Sequence, residues 1–278
     1  MGEQDTDRVA LISGGGTGIG QAIAARFGAL GWRVAVGGRR TDLLERTAEL
    51  VTKAGGTPFT HPLDVTSADS VEAFFAAAQE RLGPVSVVIN NAAVAFSGPL
   101  CDADPGEIDL AIATKLTGSL YMARQGVLAM RRAGSGGDIL FITSTSAVEP
   151  WPHHLAYAAA SAGVEQAART LRLELDGTGI RVTTLRCSNT KDTEFVTREL
   201  GSDKMMDANR AWFRHALVRH AGLMTPDQVA EAVAQAVTLP PSLQYEVLAP
   251  SPMAPTGPLP GTFDEFIGEM VRHHMPSA

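Results

Sequence analysis

Residues Ser13 to Gly20 read Ser-Gly-Gly-Gly-Thr-Gly-Ile-Gly, closing the apolar run VALIS at 9–13 and opening a helical pattern. A glycine turn between a strand and a helix lets backbone N–H groups and the positive helix terminus meet a pyrophosphate. The candidates for that contact are Ser13, Gly14, Gly16, Thr17, Gly18, Ile19 and Gly20. Their spacing is G-x-x-x-G-x-G instead of G-x-G-x-x-G, and any tight turn at this place favours glycine, so the loop alone is a weak sign. Two further stretches strengthen it. Asp64-Val65 ends a third β-rich run, where a carboxylate can reach an adenine amino group. Asn90-Asn91-Ala92-Ala93 ends a fourth, beside the point where strand order should reverse and ligands bind.

These residues need a scaffold, and the chain supplies an alternating one. Seven β-rich runs occur: VALIS at 9–13, RVAV at 33–36, TPFT at 57–60, VSVVIN at 85–90, DILFIT at 138–143, RVTTL at 181–185 and YEVL at 245–248. Between the first two, Ile19, Ile23, Phe27 and Leu30 recur at helical spacing, predicting a helix over 18–30. Val71, Phe74, Ala78 and Leu82 do the same between the third and fourth. Such alternation predicts an α/β, Rossmann-type doubly wound sheet of about seven mainly parallel strands with helices on both faces. The reading is one domain over 1–278, with a core at about 8–250. A helical flap is expected at about 192–223, and a proline-rich tail at 250–278 ends in an apolar-periodic stretch, Phe263, Phe266, Ile267 and Met270. That stretch is expected to pack on a neighbouring subunit, the alternative being a lid over the substrate.

A net charge of −7 and a pI near 5.5 argue against nucleic acid or an anionic membrane as the main partner. The two cysteines, Cys101 and Cys187, make no disulfide framework and have no metal-ligand spacing, so no metal is expected. The start MGEQDTDR is polar and acidic, unlike a secretory signal, and no apolar run approaches the ~18 residues of a membrane span. A soluble, cytoplasmic protein is the expectation.

With these motifs in place, residues 8 to about 250 resemble the short-chain dehydrogenase/reductase family. Its glycine motif matches at Gly14, Gly18, Ile19 and Gly20, with Ser13 for the usual threonine. Its Asn-Asn-Ala-Gly motif matches at Asn90 to Ala92, with Ala93 for glycine. The family's serine, thirteen residues before its tyrosine, is matched by Ser144 before Tyr157. The resemblance implies that Tyr157 gives a proton to a carbonyl as hydride arrives from a nicotinamide and that Ser144 binds the substrate oxygen. It adds Asn91, Ala92, Ala93 and Tyr157 to the cofactor contacts, and implies a homodimer or homotetramer built partly on helices at 106–131 and 155–175. Cofactor choice is read at the end of the second strand. An acid there would hold a ribose 2′-hydroxyl; this chain has Gly38, then Arg39 and Arg40, which suit a 2′-phosphate and favour NADP(H). The alternative for both arginines is a solvated loop.

The family also places a lysine four residues after the tyrosine, where this chain has Ser161. The physical need is clear, because a free phenol has a pKa of ~10, and a nearby cation makes it easier to ionise. A second departure answers the first. In Ala113-Thr114-Lys115-Leu116-Thr117-Gly118, Lys115 occupies a position where the family usually has asparagine. Ketoreductase domains of polyketide synthases show a similar exchange. Lys115 is therefore read as the ammonium near Tyr157 and as a cofactor contact, against the alternative of a surface lysine on an amphipathic helix. A third departure is the segment Arg186-Cys187-Ser188-Asn189-Thr190, where the family usually has Pro-Gly; Thr190 or Thr193 could still contact the nicotinamide, and Cys187 reads as packing. His153 and His154, just before Tyr157, read as exposed loop residues, the alternative being a place at the mouth of the site. The sequence thus points to an NADPH-dependent reductase of a small-molecule ketone or related carbonyl. The alternative is a cofactor-binding relative that has lost redox turnover and acts in cyclisation, dehydration or regulation.

Overall fold

A computed structural model describes residues 7–193 and 202–274. Its strands are β1 (Val9–Ser13), β2 (Arg33–Gly38), β3 (Thr57–Pro62), β4 (Val87–Asn90), β5 (Gly137–Ser144), β6 (Ile180–Cys187) and β7 (Val247–Leu248). Around them lie α1 (Gly18–Ala29), α2 (Thr41–Ala54), α3 (Ala68–Leu82), α4 (Pro105–Ile112), α5 (Gly118–Ala133), α6 (Leu155–Glu174), α7 (Asp203–Arg214), α8 (Pro226–Val237) and α9 (Phe263–His274).

The seven strands form one parallel sheet in the order β3-β2-β1-β4-β5-β6-β7. Both faces are covered, which is why the strands read as continuous apolar runs. Val9 and Leu11 point into one core with Val88, Ile139 and Phe141, under α3, α5 and α6. Ala10 and Ile12 point into the other with Val87, Ile89 and Leu140, under α1, α2 and α8. Each large side chain buried this way contributes about 1.5–3 kcal/mol. Pro58, which cannot donate to a ladder, is tolerated because β3 is an edge strand paired only with β2. The order reverses between β2-β1 and β4, so the loops leaving β1 and β4 diverge and open a crevice at the strands' carboxyl ends.

Three expectations need correction. The helix expected over 106–131 is interrupted by a π-helical turn, Ala113–Thr117, between α4 and α5. At its far end Gly118 lies against Val65, where a Cβ would come within 2.7 Å of the Val65 side chain. The last strand is shorter than expected, with pairing to β6 confined to Val247–Leu248. The tail packs on its own chain: Phe266 is buried beside Trp151, Met205, Trp212 and Val218, and Phe263 and Phe266 meet Phe213 edge-on or tilted. This third cluster sits over the crevice. Of the flap expected at 192–223, α7 is helical as read, whereas 194–201 lie outside the described residues. No helix among the described residues is long and apolar enough to cross a membrane.

Candidate active site

The glycine loop is held in shape by the residues that the fourth strand delivers. The Ser13 hydroxyl accepts from the backbone N–H groups of Asn91 and Ala92 at 3.1 and 3.2 Å. The Asn91 amide donates to the carbonyls of Ser13 and Gly14 at 3.1 and 3.0 Å. Gly14 and Gly18 have φ of 65° and 53°, a region costly for other residues. At Gly20 the constraint is contact: a Cβ would lie 2.2 Å from the Gly14 carbonyl oxygen. The N-terminus of α1 thus faces the crevice behind Thr17, whose side chain makes no capping bond. These features fit a dinucleotide pyrophosphate.

A cavity of about 910 Å³ runs from this loop across the carboxyl ends of β4, β5 and β6 to α7 and α9. Gly14, Gly16, Thr17, Gly18, Ile19, Arg39, Arg40, Asp64, Val65, Asn91, Ala92 and Ala93 all line it, whereas Ser13 and Gly20 act from behind. Arg39 is exposed at its rim. Asp64 is held below the usual carboxylate range, first by hydrogen bonds from Thr66 and to a smaller extent by the Arg39 charge.

Ser144 ends β5, Tyr157 lies in the first turn of α6, and Lys115 sits on the π-helical turn; all three line the same cavity. The π-turn, a recurrent feature of functional sites, carries Lys115 inward, where it is 1% exposed. It is therefore no surface lysine. Its ammonium donates to the Ile142 carbonyl and stands 5.8 Å from the centre of the Tyr157 ring. Burial pulls Lys115 down to about 8, against a smaller opposing pull from Cys187. Burial likewise pushes Tyr157 up to about 12, with Cys187 adding to the rise, while the neighbouring Ser161 and Ser144 hydroxyls pull the other way. The buried Ser161, one helical turn from Tyr157, thus contributes a neutral hydroxyl where a second cation would stand.

Beneath this group, Glu165 extends the same face of α6. Its carboxylate takes Arg186 at 2.9 and 2.6 Å and the Thr143 hydroxyl at 3.0 Å, tying α6 to β5 and β6. Cys187 is buried and pushed up to about 11 by desolvation, as befits a packing residue. Thr190 lines the cavity, but its hydroxyl is engaged with Cys187 Sγ at 3.2 Å and donates to the Ser188 carbonyl at 3.0 Å. Thr193 instead lies against Gly18 at the head of α1.

One part of the site follows the less favoured of two expectations. His154 is buried rather than an exposed loop residue, and its Nε2 lies 3.0 Å from the Ser97 hydroxyl. Its ring packs edge-on against Trp212 at 4.9 Å and against Tyr157 at 6.3 Å. Local sequence gave no sign of this, because Trp212 is brought in from fifty-eight residues away by α7; only its place just ahead of Tyr157 pointed to the site. Among the described residues, no cluster of His, Cys, Asp and Glu could hold a metal ion.

The model of the short chain dehydrogenase family matches residues 8–204. A sulfoacetaldehyde reductase of Chromohalobacter salexigens is 32% identical over 245 residues, covering 87% of this chain and 92% of that protein. Among solved structures, an alcohol dehydrogenase of the archaeon Thermococcus sibiricus, complexed with 5-hydroxy-NADP, is 29% identical with a TM-score of 0.75, over 90% of this chain and 99% of its own. A variant of actinorhodin polyketide ketoreductase with NADPH is 30% identical with a TM-score of 0.76, over 90% and 97%. With the parallel sheet, the glycine loop and the Ser144–Tyr157 pair, these matches identify the chain as an oxidoreductase of the short-chain dehydrogenase family.

Proposed function

We propose that the protein is an NADP(H)-dependent reductase of a ketone or related carbonyl, reversibly interconverting ketone and alcohol. The observation that carries this reading is the burial of Lys115 beside Tyr157 and Ser144 in the cavity that begins at the glycine loop. The solved relatives crystallised with NADP or NADPH support the cofactor, as do Arg39 and Arg40 at its adenine end. The glycine loop at the head of α1 and the Asn91-Ala92-Ala93 segment would hold NADPH, which when bound would supply the hydride.

The Ser144 hydroxyl orients the substrate oxygen, and Tyr157 donates the proton. A phenol pushed up to about 12 is fully protonated near neutrality, the form a general acid needs. An alkoxide forming on the substrate is a far stronger base than a phenolate, so the transfer still runs downhill. Lys115 then stabilises the phenolate that is left. An ammonium about 6 Å away is worth about 3 kcal/mol at an effective dielectric of 20. That corresponds to roughly two pK units, about the size of the net rise of Tyr157 from 10.0 to about 12.

The high phenol pKa also favours a second reading, in which the cofactor is bound but a non-redox step such as dehydration or cyclisation is performed. Oxidation of NADPH by purified protein with a panel of ketones separates the two; binding of NADPH without any oxidation would establish the second. The protein is also proposed to be a homodimer or homotetramer, since α5 and α6 expose Leu120, Leu155 and Leu173. A monomer by light scattering would exclude that.

A further inference from the structure

We infer that the substrate of this site is a neutral carbonyl compound with a flat, largely apolar ring system, bound against the wall formed by Trp151, His154 and Trp212. The inference rests on the reductase reading and names its substrate class.

The cavity has two unlike halves. The half over the glycine loop holds the charged groups Arg39, Arg40 and Asp64. Beyond Tyr157 the wall is built from Trp151, Trp212, Met205, Val218, Phe266 and Met270. Among the described residues, no Asp, Glu, Arg or Lys lines that half except Lys115 at its floor, whose ammonium is bonded to the Ile142 carbonyl. Among the described residues that half offers a carboxylate, sulfonate or phosphate no Arg or Lys besides Lys115, so such a group would exchange water for mostly apolar contact, a penalty that contact does not offset.

The polar atoms present are also directed away from a charged ligand. The Trp212 indole N–H donates to the Pro152 carbonyl at 2.8 Å, and that of Trp151 to Glu149 at 3.1 Å. Both indoles therefore offer carbon surface to the cavity. His154 Nε2 is engaged with Ser97. His220 Nδ1 accepts a bond from the Gly222 N–H, 3.1 Å away. Trp151 and Trp212 meet edge-on at 5.2 Å, and His154 meets Trp212 edge-on at 4.9 Å. Aromatic rings prefer offset or edge-to-face neighbours, and these three present both edges and faces for a flat guest. Met205 and Met270 add pliable thioethers, which favour the rim of an aromatic ring. The ring fills this wall while the carbonyl reaches Ser144 and Tyr157.

The test compares two series with the unmodified protein at saturating NADPH: aryl and fused-ring ketones such as 1-tetralone, and short anionic carbonyls such as pyruvate and sulfoacetaldehyde. The expected result is a kcat/KM at least about 100-fold higher for the ring ketones, and a loss of about 10-fold or more, mainly in KM, in Trp212→Leu with 1-tetralone. Binding is read independently of turnover as saturable quenching of tryptophan fluorescence by the same compounds in the presence of NADP+. Quenching by ring ketones alone, without turnover, would support the ligand class and refute the reductase reading. Faster turnover or tighter binding of the anionic series, or no saturable binding of any ring ketone, would overturn the inference and leave the reductase reading to its own assay. Should Trp212→Leu misfold by circular dichroism, the comparison of the two series on the unmodified protein decides alone.

Discussion

Lys115→Met should make the protein more stable at pH 7 while removing its activity. Lys115 is pulled down to about 8 from the ordinary 10.5 by burial. The charged lysine therefore costs the fold about 3 kcal/mol at neutral pH, at 1.36 kcal/mol per pK unit. The sign follows from the proton count. Between about 8 and about 10.5 the unfolded chain holds a proton that the folded chain has released, so stability rises with pH across that window. Below it the cost is fully present. Methionine keeps most of the volume and removes the charge, but leaves the Ile142 carbonyl without its donor, a loss of about 1–3 kcal/mol. The net gain at pH 7 is thus about 1 kcal/mol. The sharper quantity is its change with pH, from which the lost hydrogen bond cancels: the advantage of Lys115→Met should fall by about 2 kcal/mol between pH 7 and pH 10. Urea unfolding of both proteins at the two pH values measures it. An advantage that is the same at both would show that Lys115 holds no depressed pKa in the folded state and would refute the reasoning.

Other consequences are independent. Arg39→Ala should narrow the preference for NADPH over NADH by about 1.5–3 kcal/mol, the worth of a hydrogen bond to a charged group, as read by cofactor titration. Gly20→Ala should abolish measurable cofactor binding while leaving a folded protein, because the new methyl would meet the Gly14 carbonyl and displace the loop; equilibrium dialysis tests it. Asp138 is buried at the amino end of β5, between Arg8 and Arg181, far along the sheet from the crevice. Asp138→Ala should cost about 3–5 kcal/mol by denaturant titration, since it leaves two guanidinium groups without their buried partner.

Much of this architecture was legible because its elements are regular. Strands buried on both faces must be continuously apolar, so VALIS and DILFIT announced β1 and β5 to within a residue. The loop at Ser13–Gly20 was legible for a different reason, since only glycine fits a backbone that folds back on its own carbonyl. What escaped depends on single-residue irregularity or on distant partners. The π-turn at Ala113–Thr117 keeps the chain helical on both sides, and the helix over 106–131 was expected only from the family resemblance, which does not mark such a break. Lys115 was placed by its position in a motif, although its bond to the Ile142 carbonyl was not foreseen. The favoured readings of His154 and the tail failed, and their alternatives fit better, because their burial depends on α7, whose helical pattern says nothing about where it docks.

The central claim is that Lys115 holds the charge that the family ordinarily places at position 161, and exchanging the two positions tests it most directly. NADPH oxidation with the best ketone should be measured for the unmodified protein, Lys115→Asn, Ser161→Lys and the double variant. The account predicts a large loss of kcat in Lys115→Asn and substantial recovery in the double variant, where the ammonium returns to the Tyr157 pocket from α6. Ser161→Lys alone should give no gain, because two ammonium groups in one buried pocket repel and one releases its proton. Full kcat with an unchanged pH profile in Lys115→Asn would contradict the account.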